Sequence, residues 1–390
     1  MNSLTQNSLS LTQNSTVVTF FSETLGVNFS TIGIYLVYFI ATFILVNIAA
    51  LIGGLGTYAE RKISADMQAR MGPNRVGPYG LFQVIADGLK MLMKEDTIPN
   101  TADRFLYHLA PLLCIIGIFS ALAVFPVSSG LALSHLNAGV IYLVAISSLV
   151  GLGVFLGGYS SNSKWSMLGG MRGASQIISY EIPVTLTLIT IVLMAGSASF
   201  EVITNSQKSG LSSWYLFHNP FTFIGFFVYF ISALAESNRA PFDLPEAESE
   251  LVSGYHTEFS GMKFAFFALA EYVEVFVLCG VASALFLGGY NVPFGIDVFL
   301  TESLKSPFPA QILQLLIFFS KTLFLYYFVI VIRWTLPRLR VDQLMTVCWK
   351  YLTPIALFNL VGCAVWIYFF HGKTMTELLI GLMSMGSSSH

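Results

Sequence analysis

Long apolar runs separated by short polar stretches set the pattern of this chain. A membrane-spanning helix needs about 20 mostly apolar residues. Eight stretches match or approach that length, at 32–57, 105–126, 138–158, 175–196, 221–236, 262–289, 311–334 and 350–370. The pattern predicts an all-α, polytopic membrane protein with about eight transmembrane helices. It divides the chain into a polar N-terminal extension (1–31), a single membrane domain (32–370) and a short C-terminal tail (371–390).

The segment from Tyr58 to Thr101 is too polar to cross a bilayer and too long to be a turn. Within it, residues 81–94 alternate apolar and polar positions at helical spacing, with Asp87, Lys90 and Lys94 set apart from Leu81, Val84, Ile85 and Leu92. That spacing predicts an amphipathic helix lying at the membrane surface or against a partner. Before it, Gly72-Pro73-Asn74-Arg75-Val76-Gly77-Pro78 is a turn cluster that no helix runs through.

Composition sharpens this picture. Hydrophobic residues make up 55% of the chain and charged ones only 10%, so its length serves membrane spans rather than soluble domains. The formal net charge is -2 and no basic stripe is present, which argues against a nucleic-acid partner. The four cysteines stand singly, and no two histidines share i, i+4 spacing in an apolar run. No iron–sulfur, zinc or bis-histidine haem motif is therefore written here, and a redox role would need electron carriers on other chains. Of the 19 Lys and Arg residues, 15 fall in the segments on one side of the predicted membrane. The positive-inside rule places that side in the cytoplasm or the mitochondrial matrix.

Acidic residues are concentrated where an apolar chain has least reason to carry them. Glu236, Asp243, Glu246, Glu248, Glu250 and Glu258 lie in one loop between two spans, six of 21 in the chain. Phe242, Leu244, Leu251, Val252, Tyr255 and Phe259 interleave with them, a composition that expects burial rather than a solvated loop. Pro245 suits a first helical position, with Glu246, Glu248 and Glu250 in the first turns where the helix dipole favours negative charge.

Glu181, Glu271 and Glu274 fall inside predicted spans. An ionisable group at depth costs about 2.5–3.5 kcal/mol even on lenient insertion scales, so such groups face a cavity or a partner. Glu271 and Glu274 are three apart and share a helix face, where neighbouring carboxylates raise each other's proton affinity. Pro183 leaves the carbonyl of Ser179 without its helical donor, open to water or a side chain. The functional reading is a line of carboxyl groups that holds and passes protons. Structural hydrogen bonding is the competing one. Arg61 and Arg239 stand beside Glu60, Glu236 and Asp243 in sequence, which favours paired roles; Asp66 and Asp87 are further candidates for that network.

Taken together, these motifs resemble one family. Glu60-Arg61-Lys62, Gln68-Ala69-Arg70-Met71-Gly72-Pro73-Asn74-Arg75-Val76-Gly77-Pro78, the Arg239–Leu251 stretch, Arg172-Gly173-Ala174-Ser175-Gln176 ahead of Tyr180-Glu181, and Pro337-Arg338-Leu339-Arg340-Val341-Asp342-Gln343-Leu344 are similar to the H-type membrane subunit of NADH-quinone oxidoreductase, whose mitochondrial counterpart is NADH-ubiquinone oxidoreductase chain 1.

The resemblance implies a quinone-chamber subunit of respiratory complex I, an enzyme subunit in the bacterial inner or mitochondrial inner membrane. Quinone is the implied substrate, with flavin and iron–sulfur clusters on partner subunits and no prosthetic group in this chain. The implied partners are soluble quinone-site subunits and neighbouring membrane-arm subunits. By the same resemblance, Glu236, Asp243, Glu246, Glu248, Glu250 and Glu258 belong to the loop beside the chamber. Glu181, Glu271 and Glu274 carry the proton path into the membrane, and Arg61, Arg70, Phe242 and Arg338 contact quinone or brace its entrance. Three other readings stay open: the related subunit of an energy-converting hydrogenase, a free-standing cation/proton antiporter, and a passive scaffold.

Overall fold

The computed structural model describes residues 31–129, 136–208, 210, 213–245, 248–292 and 308–370, and among these the regular structure is helical throughout. Eight apolar helices organise it: α1 (Thr31–Met67), α2 (Arg104–Leu122), α3 (Gly139–Ser160), α4 (Lys164–Ala195), α5 (Pro220–Glu236), α6 (Gly261–Phe286), α7 (Phe308–Thr335) and α8 (Thr353–Phe370). All but α5 meet the length and apolarity needed to cross a membrane, α8 together with the turns that lead into it. The 17 residues of α5 reach the lower end of the spanning range.

α6 is the axis of the bundle, packed against α1, α2, α5 and α7. It is apolar around its whole circumference, and Val273 through Phe286 are buried without interruption. That is the signature of a helix surrounded by others. α3 packs between α2 and α4, and its glycines permit the close approach. A Cβ on Gly158 would stand 2.5 Å from the Ser166 carbonyl oxygen, and one on Gly153 2.5 Å from the Cys114 sulfur. α8 closes the far side against α4 and α5.

The helices run farther into the polar segments than hydropathy alone suggests. α1 passes position 57 and continues through Glu60-Arg61-Lys62 to Met67, so the segment expected to be loop from Tyr58 begins as further turns of helix. The helix ends where Ala69 turns left-handed (φ 52°) and the Arg70 N–H closes back onto the Ala65 carbonyl at 2.9 Å, ahead of the Gly72-Pro73 cluster. α4 likewise starts at Lys164 rather than 175. The amphipathic helix covers Gln83–Met93. It rests on α1 and α6 while Ile85, Leu89, Leu92 and Met93 stay exposed. The last span is preceded by a short helix, Val341–Thr346, and a π-helical turn, Val347–Leu352.

Candidate functional site

The acidic loop folds back onto the bundle. A capping box at Asn219 and Thr222 starts α5, which delivers Glu236 at its last turn, buried. Ser237 to Leu244 then remain mostly buried. The Gln176 side chain on α4 anchors this stretch by donating to the carbonyls of Ala235 (2.8 Å) and Phe242 (2.7 Å). The Gly254–His256 turn lies against α4 at Gly169, where a Cβ would come within 2.7 Å of the Tyr255 nitrogen. Small residues on α4 thus make room for the loop.

Charged groups of the loop find partners on several different elements. Asp243 pairs with Arg338 at 2.9 Å, and the adjacent Leu339 N–H donates to the Pro241 carbonyl at 3.0 Å. Glu250 pairs with Arg172 at 2.6 Å. Arg239 is buried, donates to Glu60 at 3.0 Å, and stacks over Tyr272 with its guanidinium carbon 3.9 Å from the ring centre. Glu60 also holds Arg333 at 2.7 Å, so one carboxylate serves two guanidiniums.

Burial pushes the Asp243 carboxyl above the usual carboxylate range, opposed by Arg338 and reinforced by Glu271. Burial also works against the charge on Arg239, but Tyr272, Glu271 and Glu60 outweigh it, and its pKa rises. His256 is pulled below the ordinary histidine value by burial, against the pull of Glu271.

Below the loop the spanning carboxylates separate into two positions. Glu271 is on the loop side and accepts a hydrogen bond from the Tyr255 hydroxyl at 2.9 Å. Glu274, one turn deeper, is buried and has Glu236 and Glu271 as charge neighbours. Glu181 from α4, Glu236 from α5 and Glu274 from α6 line a single cavity of about 30 Å³, together with Ser147, Thr185 and Tyr229. A void of that size holds one or two water molecules. Ser147 borders the cavity with its hydroxyl donating to the Val144 carbonyl at 2.9 Å, and the Oε2 oxygen of Glu236 is buried with no partner among the described residues. Three carboxyl groups that reach one water-sized space can exchange a proton through it.

Several expectations change in detail. Arg61 pairs with Asp87 at 2.5 Å rather than with Glu60, because consecutive residues on a helix point in different directions. Arg70 is exposed and donates to Gln68 at 2.6 Å. Phe242 is packed in the core with its ring 5.8 Å from that of Tyr180, next to the Asp243–Arg338 pair. Asp66 is exposed, and the backbone carbonyl of Glu258 accepts from the Tyr107 hydroxyl at 2.7 Å. Glu246 and the side chain of Glu248 lie outside the described residues. Sequence reasoning did not single out Tyr255, Gln176 or Ser147 for these roles. All three are ordinary polar residues among apolar ones, and only the fold reveals which backbone or carboxylate they meet.

Helices of spanning length packed around a cluster of largely buried carboxylates define a polytopic integral membrane protein. Residues 39–364 match the family model described as NADH dehydrogenase. The chain is 44% identical over 330 residues to the NADH-quinone oxidoreductase H subunit of Anaeromyxobacter dehalogenans, covering 83% of this chain and 80% of that one. It is 44% identical over 337 residues to NADH-quinone oxidoreductase subunit 8 of Rhodothermus marinus, covering 84% and 96%, and 45% identical over 334 residues to the H subunit of Chlorobaculum parvum, covering 84% and 91%. The chain belongs to the family of NADH-quinone oxidoreductase H subunits.

Proposed function

We propose that this chain is the quinone-chamber membrane subunit of a proton-pumping NADH:quinone oxidoreductase, and that it couples quinone reduction to proton translocation through its carboxylates. The observation that carries this reading is the cavity shared by Glu181, Glu236 and Glu274. Glu271 stands between it and the loop through the Tyr255 hydrogen bond.

Reduction of a quinone consumes two protons and two electrons. The electrons come from flavin and iron–sulfur carriers on partner subunits. Proton demand or charge displacement at the loop changes the field at Glu271, and from there the occupancy of Glu274, Glu236 and Glu181. Arg338 holds Asp243 in place, while the Glu60, Arg239 and Arg333 cluster fixes the charge balance at the mouth of the path. Arg61, Arg70 and Phe242 brace the chamber wall on the same side, and the charged loops face the cytoplasm or matrix.

The test is Glu181→Gln or Glu236→Gln in the assembled complex reconstituted in liposomes. Quinone reduction and proton translocation should fall together, by about tenfold or more as expected for removal of a proton-transferring group. Unchanged turnover with unchanged translocation in both variants would sink the coupling role.

A further inference from the structure

Pro183 has no N–H, so the carbonyl of Ser179 one turn earlier in α4 lacks its helical donor. That carbonyl is not left to water. The thiol of Cys348, from the far end of the chain, donates to it at 3.1 Å. Cys348 is fully buried and sits in the π-helical turn Val347–Leu352, whose own carbonyl at Cys348 accepts from the Thr353 hydroxyl at 2.9 Å. One residue along α4, the Tyr180 hydroxyl donates to the Leu344 carbonyl at 2.9 Å. The two residues immediately before Glu181 are thus both tied to the segment 344–348.

The other end of that segment is tied to the acidic loop. Leu339 donates to the Pro241 carbonyl at 3.0 Å, and Arg338 pairs with Asp243 at 2.9 Å. A short, doubly anchored piece of chain therefore connects the loop at 241–243 to the helical turn that carries Glu181. We propose that Cys348 is a positioning residue for Glu181. Its thiol closes the gap that Pro183 opens in α4, and so sets where the Glu181 carboxylate sits in the cavity it shares with Glu236 and Glu274. Because the same segment holds Asp243, a displacement of the loop reaches Glu181 through this backbone as well as through Glu271. The inference rests on the proposed role of Glu181 in proton transfer.

The π-helical turn gives the arrangement its geometry. A π turn inserts one residue into an α-helix and rotates what precedes it, which lets a side chain from the 341–352 segment point at a carbonyl of α4. A thiol is a weak donor, suited to holding a carbonyl whose helix must bend beside it.

The test uses the assembled complex in liposomes. Cys348→Ala should lower quinone-linked proton translocation about three- to fivefold, the effect of losing one neutral hydrogen bond, and shift its pH optimum. Cys348→Ser, whose hydroxyl can reach the same carbonyl, should stay near the unsubstituted protein. Pro183→Ala restores a backbone donor for Ser179, so the double variant Pro183→Ala with Cys348→Ala should recover what Cys348→Ala alone loses. A thiol that only fills space predicts two independent lesions and no recovery, and that result overturns the proposal. If Cys348→Ala does not assemble, Cys348→Val replaces it, since valine fills the volume without donating; equal behaviour of the Val and Ser variants also overturns it. Cys279→Ala, at another buried thiol, is the control. Glu181→Gln separates the two levels: if it leaves translocation intact, the role of Glu181 in the proton path falls and the positioning role with it. If it abolishes translocation while Cys348→Ala and Cys348→Val behave normally, only the positioning role falls.

Discussion

Replacement of Glu60 by Gln offers the sharpest test of the electrostatics at the loop. The side chains of Glu60 and Arg239 are 9% and 6% exposed, and that of Arg333 is 28% exposed. Removing one partner of a buried pair leaves an uncompensated charge and costs about 3–5 kcal/mol. Glu60→Gln strands two guanidiniums at once and belongs at the upper end of that range. Arg239→Met is milder, because Glu60 keeps Arg333 at 2.7 Å; what it loses is one ion pair and a cation–π contact worth about 2 kcal/mol when desolvated. Arg61→Ala breaks a pair whose side chains are 51% and 25% exposed and should cost less than about 1 kcal/mol. Thermal and denaturant unfolding of the purified complex, followed at this subunit, should rank the variants Glu60→Gln, Arg239→Met, Arg61→Ala from most to least destabilised. Glu60→Gln no worse than Arg61→Ala would mean that the cluster is solvated and that its burial has no energetic consequence.

Other perturbations separate individual contacts. Tyr255→Phe removes the hydroxyl that Glu271 accepts from, and should slow coupled quinone reduction about fivefold, the equivalent of about 1 kcal/mol, with assembly unchanged on native gels. Lys321→Met removes an ammonium that donates to the carbonyls of Leu287, Gly289 and Asn291 and lies 4.6 Å from the Trp214 ring centre. Leaving buried carbonyls unsatisfied costs about 1–3 kcal/mol each, so the midpoint of thermal unfolding should drop clearly, and methionine's similar length should not rescue it. His256 is held below its ordinary value by burial. The folded state therefore binds that proton less readily than the unfolded chain, and the stability contributed is present above about pH 6.5 and lost as pH falls below it. His256→Gln should flatten that acid limb in a melting series across pH, and an unchanged limb would count against it.

The fold is readable in the sequence where one physical signal dominates. Apolar runs coincide with the apolar helices, and of the apolar residues interleaved with the acids Phe242, Leu244, Leu251, Tyr255 and Phe259 are buried, whereas Val252 is exposed. Helix ends are not readable, because hydropathy reports the membrane rather than the helix. Glu60 and Arg61 are charged and yet helical, and α1 ends at a left-handed Ala69, ahead of the turn cluster and at a residue type that gives no sign of it. Pairings are legible only as candidates. Arg239 and Glu60 meet across 179 positions, and nothing in either local sequence selects that partner over Glu236 or Asp243. The spacing of Glu271 and Glu274 correctly puts them on neighbouring turns of one helix. What each faces depends on α4 and α5, so the division into a loop-side and a cavity-side carboxylate is not written in α6 alone.

That division bears on how a signal could travel. Two like charges one turn apart on a buried helix interact strongly, since little water screens them, and a proton gained at one eases ionisation of the other. Glu271 is tied to Tyr255 of the loop, whereas Glu274 shares its cavity with Glu181 and Glu236. Under the proposed coupling, a change in the loop reaches the cavity either by electrostatics, through Glu271 and through Glu236 at the loop's own start, or mechanically along the 338–348 backbone. The two routes predict different double variants. Glu271→Gln with Tyr255→Phe should be no worse than Glu271→Gln alone, because both act on one contact. Glu271→Gln with Arg338→Ala should be worse than either, because the second change loosens the other route. Proton translocation measured across these single and double variants decides the matter, and equal effects in both doubles would reduce the loop to a single line of communication.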